Sequence, residues 1–518
     1  MTAQIITTAT DLAPAYDIIV VGAGPAGLTA ATEVAAHSIS ALVINESSEP
    51  GGQMYRAITR LSPEAYEFLG PDYWQGTALV DAFHASRISY APRTAVWSLA
   101  PAGDAPLNGA GAGLEVGISL AGEARLLRAR HVILATGAFE RPMPVPGWTL
   151  PGVMTAGAGQ VALKSAGLVP EGRVVLAGCG PMLYLLVYQL LAAGARISAV
   201  LDTTDRRQLP KAVPYLPDFT RSAYFWKGVK LLVKVLSSVR FVRGVTGLEA
   251  VGNGRVEKLR FRTGRKWNEI DADVVMLHQG VVPDISLASS AGCALEWNDR
   301  QLAFQPRLDG DGQTTVSGIS VAGDGATIGG AALAEVSGRL AALGALASIG
   351  VLDQTRKADL QRPLQRMLAR FRRGRSFLDI LYRPRDAFRI PTDDETIVCR
   401  CEEVRAGQIR SAIALGAPGP NQLKTFLRCG MGPCQGRLCS LTVTEMMAAG
   451  RKADPQDIGF YRLRPPVKPL SLGELASLPA TPEALMAVTG SPLGGLHSSP
   501  GPATPEALKA VTGKTTPL

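Results

Sequence analysis

At 518 residues the chain exceeds what one hydrophobic core can organise, and it predicts about two to four domains. Hydrophobic residues at 46% and charged residues at 19% exclude a disordered chain. The net charge of +9 gathers in residues 356–389, including Arg370, Arg372, Arg373 and Arg375. No interleaved aromatics of a nucleic-acid module accompany it, so it reads as an arginine-rich linker helix pairing with acidic side chains of a partner, not as a nucleic-acid surface. No run approaches the ~20 apolar residues of a membrane span. The longest, residues 182–193, lies between Gly180 and Gly194. Residues 1–15 lack the basic start and apolar core of a secretory signal. The expectation is therefore no integral membrane segment and a cytoplasmic address, where clustered cysteines serve as metal ligands or redox groups.

Residues 16–22 form a short apolar strand that runs into Gly22-Ala-Gly24-Pro25-Ala26-Gly27. A helix is predicted over residues 28–36 and a second strand over 39–44, ending at Asn45-Glu46. Glycine-rich turns of this spacing bind dinucleotides when they join a strand to a helix and an acid follows about 20 residues on. Gly22 permits the turn, Gly24 lets the backbone approach a pyrophosphate, and Gly27 lets helix and strand pack closely. Glu46 would accept hydrogen bonds from the ribose hydroxyls.

A second such unit follows. Residues 173–178 form a strand, Gly178-Cys-Gly180-Pro-Met-Leu183 opens a helix, and the next strand, 195–201, ends at Asp202. Leu183 stands where the third glycine belongs, which weakens the motif. Two readings stay open: an adenine nucleotide (ATP or NAD) on Gly178, Gly180 and Asp202, or a retained fold whose site has decayed.

Flanking this second unit are a strand ending in Ala135-Thr136-Gly137 and another, 316–324, ending in Gly323-Asp324. With the first glycine turn they resemble, in order, the motifs of two-dinucleotide-domain flavoproteins of the glutathione-reductase type. That resemblance implies FAD in the first unit, with the Asp near the ribityl or phosphate region. It extends the site to Pro25, Ala26, Gly52, Gln53, Val96, Ala135, Thr136, Gly137, Gly323 and Asp324. The disulfide reductases of that fold carry a Cys-x-x-Cys beside the flavin, and none occurs here.

Five of the seven cysteines lie in one late module, Cys399-Arg-Cys401 and Cys429-Gly-Met-Gly-Pro-Cys434-Gln-Gly-Arg-Leu-Cys439. Soft thiolates in such density suit an iron–sulfur cluster, with tetrahedral zinc as the chemical alternative. The Cys-x-Cys pair, the long spacer and Gly-Met-Gly-x-Cys-Gln-Gly-x-x-Cys resemble the bacterioferritin-associated-ferredoxin (BFD) type of 2Fe–2S domain. With the flavin unit and the run from Ala138-Phe-Glu-Arg-Pro to Met154-Thr-Ala-Gly157, residues 15–450 resemble one family. These are the alpha (A) subunits of heteromeric FAD/2Fe–2S amino-acid and opine dehydrogenases, which include octopine and nopaline oxidases, proline and hydroxyproline dehydrogenases, and hydrogen cyanide synthase.

The resemblance implies an α/β fold of two Rossmann-like domains plus a small C-terminal BFD-like domain. The FAD domain is expected to be split over residues 1–150 and 280–350, with the second nucleotide domain at 151–279. A basic helical linker should follow at 351–395, the iron–sulfur domain at 396–450 and a Pro/Gly-rich tail at 451–518. The cluster ligands implied are Cys399, Cys401, Cys434 and Cys439, with Cys429 extra and a rival to Cys439, and with Cys179 and Cys293 buried outside the module. The tail repeats Pro-Ala-Thr-Pro-Glu-Ala-Leu-x-Ala-Val-Thr-Gly at 479–490 and 502–513.

The five histidines, His37, His84, His131, His278 and His497, are scattered, and His278 reads as a packed residue near the flavin. No acid–base constellation for amine oxidation is visible. The resemblance assigns that step to a beta subunit of the D-amino-acid-oxidase type with its own flavin, which would bind the opine, imino acid or other secondary amino acid. This chain would be the electron-receiving half; the alternative is a self-contained NAD(P)H-dependent oxidoreductase.

Overall fold

The computed structural model describes residues 3–102 and 113–478, so the repeated tail segments lie outside the described residues. The apolar strand Ala15–Val21 sits mid-sheet, flanked by Ala41–Ile44 and the long strand Glu123–Leu134, all parallel. Ser89–Ala91 and Gln4–Ile5 extend one side of this eight-stranded sheet. Besides Ala15–Val21, the long strand serves two more partners. Its first half pairs antiparallel with Leu114–Leu120, and its last residues pair parallel with Ile319–Val321. Buried parallel strands need apolar residues on both faces, as Ile18, Ile19 and Val20 supply at 0% exposure.

The second unit inserts through two short antiparallel strands, Ala138–Glu140 and Val281–Pro283, which form the crossing between units. It holds five parallel strands, with Val174–Gly178 central between Ile197–Asp202 and Val274–His278. The chain then returns to the first unit, whose helix Ala331–Ser348 packs on Pro25–Ala35. That helix is, among the described residues, the one long and apolar enough to cross a membrane by length and composition. Glu335, Ser337 and Arg339 interrupt it, so no unbroken apolar run marks it in the sequence. Leu340, Leu343 and Leu346 are buried in the core of this unit, which accounts for its composition.

Three further expectations change on folding. The first helix begins at Pro25 and ends at Ala35, because proline at the first helical position gives up an N–H that had no partner there. The linker resolves into helices Gln354–Arg372 and Arg375–Leu381, and several of its cations find acids of this same chain rather than a partner's. Arg375 pairs with Asp379 at 2.8 Å and Arg385 with Asp205 at 3.4 Å, while Arg389 pairs with Glu445 where both side chains are buried. Residues 451–478, expected as tail, are folded. Ile458, Tyr461 and Leu463 complete the core of the cysteine module, and Val467 enters the core of the first unit.

Candidate functional site: a glycine-walled cradle and a cysteine module

Four loops converge at the ends of the parallel strands of the first unit, where this sheet class binds ligands. Gly22 has a φ of +106°, and a Cβ there would fall 2.4 Å from the Ala135 carbonyl oxygen. A Cβ on Gly27 would meet the Gly22 oxygen at 1.8 Å, and one on Gly52 the Gly24 Cα at 2.7 Å. The first helix opens at Pro25 and Ala26, directly after Gly24, which approaches Gly52 of the next loop. Ala135, Thr136 and Gly137 follow the long strand; the Thr136 hydroxyl donates to the Asp284 carbonyl at 2.9 Å. Gly323 sits against Ala26, and Asp324 Oδ1 accepts from the Gly329 and Gly330 N–H groups at 2.8 and 3.0 Å.

The remaining predicted contacts are placed as follows. Val96 is buried in the strand Thr94–Pro101. Gln53 presents its carbonyl to the buried Lys164 ammonium, which also bonds the Met54 carbonyl at 3.0 Å. Burial pushes the Lys164 amine down to about 8. Glu46 is exposed and ion-paired with Lys468 of the folded C-terminal segment. Backbone-lined walls and the helix N-terminus at Pro25 suit the FAD pyrophosphate.

In the second unit Leu183 is fully buried in the third-glycine position. Asp202, expected on a ribose, is only 8% exposed, and its Oδ1 accepts from the Thr204 N–H at 3.1 Å, the Thr204 hydroxyl at 2.5 Å and the Tyr184 hydroxyl at 3.3 Å. His278 donates through Nδ1 to Glu140 Oε1 at 2.5 Å, and Glu140 Oε2 accepts from the Gly157 N–H at 2.6 Å. This pair bridges the two units. The packed state of His278 is legible in the sequence; the contacts of Glu140 and Arg141 are not, although both lie in the run that carries the resemblance, and Lys164 carries no local motif.

The cysteine module folds around the strands Ile397–Cys399 and Val404–Arg405 and the helices Ala406–Ala414, Pro420–Leu427 and Ser440–Arg451. Its five thiols form two groups. Cys399, Cys429 and Cys439 have their Sγ atoms within 4.8 Å of one another, all buried. Cys401 and Cys434 are half-buried and meet side chain to side chain. Cys429, the extra cysteine of the motif, thus sits in the trio, because its position on the turn after Pro420–Leu427 turns it inward. Hydrogen bonds from Cys429 and Cys439 hold the Cys399 thiol well below the usual thiol range, and the proton shared with Cys399 pushes Cys429 up. Two groups of soft donors suit a dinuclear cluster, which would take four thiolates and leave one cysteine of the trio over.

The module is fixed to the rest of the chain. The Trp148 indole N–H donates to the Ile397 carbonyl at 2.7 Å, and the Arg400 guanidinium lies 5.3 Å from the centre of the Trp148 ring. Phe304 packs edge-on against Phe460 at 5.3 Å.

The pyridine nucleotide-disulphide oxidoreductase family matches residues 16–342, and the BFD-like [2Fe-2S] binding domain matches residues 397–449. The A subunit of opine oxidase from Agrobacterium tumefaciens (strain Ach5) is 53% identical over 95% of this chain and 97% of that protein. The HcnB subunit of hydrogen cyanide synthase from Pseudomonas protegens is 30% identical over 87% of this chain and 96% of its own length. Among solved structures, L-proline dehydrogenase from P. horikoshii shares the fold at a TM-score of 0.67 and 19% identity, covering 92% of this chain and 80% of that one. The match at both domains, and over nearly the whole length of a relative sharing half its residues, places the sequence: the chain belongs to the family of opine oxidase A subunits, oxidoreductases that join an FAD-binding dinucleotide fold to a 2Fe–2S domain.

Proposed function

We propose that this chain is the electron-receiving subunit of a heteromeric opine or imino-acid oxidase, and that a beta subunit of the D-amino-acid-oxidase type removes the electrons from the CH–NH bond. The observation that carries the reading is the fixing of two redox sites on one chain: the cysteine module is held to the flavin-binding body by Trp148, Phe304 and the Arg389–Glu445 pair. When bound, FAD supplies two-electron chemistry and the cluster one-electron chemistry. The chain's own residues position these groups. Gly22 and Gly24 would let the backbone approach the pyrophosphate, with Gly27 seating the helix against the turn, and Gly52, Gln53, Thr136 and Asp324 would border the rest of the flavin.

Cys401 and Cys434 bind one iron in this reading, and Cys399 and Cys439 the other, with Cys429 buried beside the second pair. A cytoplasmic address fits seven reduced cysteines, all free among the described residues. The test is to express the chain alone and with the product of its neighbouring reading frame, then to assay opines and imino acids with an artificial acceptor. Activity that appears only in the pair supports the proposal, and full turnover by the isolated chain overturns it.

A further inference from the structure

Beside the flavin cradle, a cavity of about 130 Å3 opens between the glycine loop of the second unit, the crossing strands and the linker helix Arg375–Leu381. Its floor is the N-terminus of the twelve-residue helix Pro181–Ala192, where Gly180, Pro181 and Met182 line the space. The helix dipole favours an anion there. Three arginines, Arg141, Arg300 and Arg375, line the same cavity against one carboxylate, Asp379.

Two of those arginines are incompletely satisfied. Arg141 is 3% exposed; its terminal nitrogens donate to the Leu302 and Gln301 carbonyls at 2.9 and 2.6 Å, yet its Nε is buried without an acceptor among the described residues. Arg375 donates to Asp379 through Nη2 at 2.8 Å, and its Nε is likewise buried without an acceptor. Both guanidinium groups therefore carry positive charge at the cavity that the single carboxylate of Asp379 does not offset.

The neighbouring half of the nucleotide site is filled by the chain itself. Arg385 donates to the Thr203 and Thr204 carbonyls at 2.9 and 3.1 Å. Tyr382 lies edge-on to Tyr184, and its carbonyl is 3.5 Å from the Cys179 Sγ. Asp202, the acid that would take a ribose, is bonded to Thr204 and Tyr184. The linker therefore occupies the place of an adenosine, while the phosphate end stays open. The open volume is close to that of a cavity that admits benzene, enough for phosphate and too little for a dinucleotide.

We infer that the second unit is a phosphate-binding pocket closed to adenosine by residues 382–385 of its own linker, with Arg141, Arg300, Arg375 and the helix N-terminus as its donors. The phosphate is either inorganic or the terminal group of a larger molecule, and the experiment separates the two. The purified full-length chain, with its cofactors, is titrated calorimetrically in phosphate-free buffer with inorganic phosphate, AMP and NADH.

The inference expects inorganic phosphate to bind, with AMP and NADH no tighter. Arg300→Gln and Arg375→Gln should each weaken phosphate at least about tenfold without changing flavin absorbance. Arg300 is exposed, so its replacement reports even if changes at Arg141 disturb folding. Arg385→Ala should make AMP bind tighter than inorganic phosphate by opening the adenosine half. Phosphate that fails to bind at millimolar concentration, arginine variants that bind it unchanged, or NADH that binds the unaltered chain more tightly than phosphate would each overturn the inference.

Discussion

Adding a single methyl group at Gly24 or at Gly27 separates flavin binding from folding. At Gly24 the backbone has φ −81° and ψ −176°, an extended conformation open to any L-residue. A Cβ there would lie 3.8 Å from the Gly52 Cα, an ordinary contact. Gly24→Ala should therefore fold, and restricting the unfolded chain stabilises it by about 0.4–1 kcal/mol. That methyl projects into the gap between the two glycine loops, where the pyrophosphate must approach the backbone. Losing two charge-assisted hydrogen bonds of about 1.5–3 kcal/mol each weakens FAD by more than about 100-fold.

Gly27→Ala behaves differently, because its Cβ would fall 1.8 Å from the Gly22 oxygen and 2.9 Å from the Gly22 carbonyl carbon. The helix must shift, at a cost of about 1–3 kcal/mol or more, and the turn is lost with it. The assay is flavin absorbance per chain together with thermal unfolding, referenced to the wild-type chain stripped of FAD, since bound ligand raises the midpoint by itself. Gly24→Ala should be colourless with a midpoint at or slightly above that of the stripped protein, and Gly27→Ala should lose flavin and several degrees. A fully yellow Gly24→Ala protein, or one that unfolds like Gly27→Ala, would refute this account of the cradle.

Cys434→Ser should abolish the cluster's electron-paramagnetic signal and visible absorbance, whereas Cys429→Ser should leave both largely intact; the reverse pattern would transfer the ligand role to Cys429. His131 is buried between the Ser320 and Ser348 hydroxyls, and desolvation depresses its pKa from 6.5 to about 3. The unfolded state thus binds more protons below about pH 6.5, so stability falls between roughly pH 6.5 and 3, by up to about 5 kcal/mol. His131→Gln should flatten that stretch of the acid-unfolding profile, and an unchanged slope would count against it. Glu445→Ala leaves Arg389 with the exposed Asp386 and the Pro384 carbonyl as its partners and removes its buried carboxylate, which costs about 1–3 kcal/mol; urea unfolding of the holoprotein should show that loss, and a change under about 1 kcal/mol would mean the pair is not the anchor of the module.

The glycine turn of the candidate cradle is legible because each glycine solves a local steric problem at fixed spacing, so the sequence displays the turn directly. The cysteine module is legible as a group for a similar reason, through the density of one soft donor type. Its internal pairing is not, since spacing along the chain does not report that Cys429 and Cys439 place their sulfurs 4.0 Å apart. Nor are Glu140 and His278, partners across 138 positions with no motif between them. Proline and glycine content makes the segment 451–478 look like tail, yet single apolar residues such as Tyr461 and Val467 suffice to seat it. Asp202 stands where the motif puts it, and spacing does not report that its Oδ1 is engaged by Thr204 and Tyr184.

The central claim, that this chain receives electrons rather than extracting them, is tested most directly by following flavin absorbance after anaerobic addition of an opine or imino acid. The isolated chain, loaded with FAD and cluster, should remain oxidised, and adding the beta subunit should bleach its flavin and bring up the signal of the reduced cluster. Bleaching of the isolated chain by substrate, at the rate seen in the heteromer, would contradict the account.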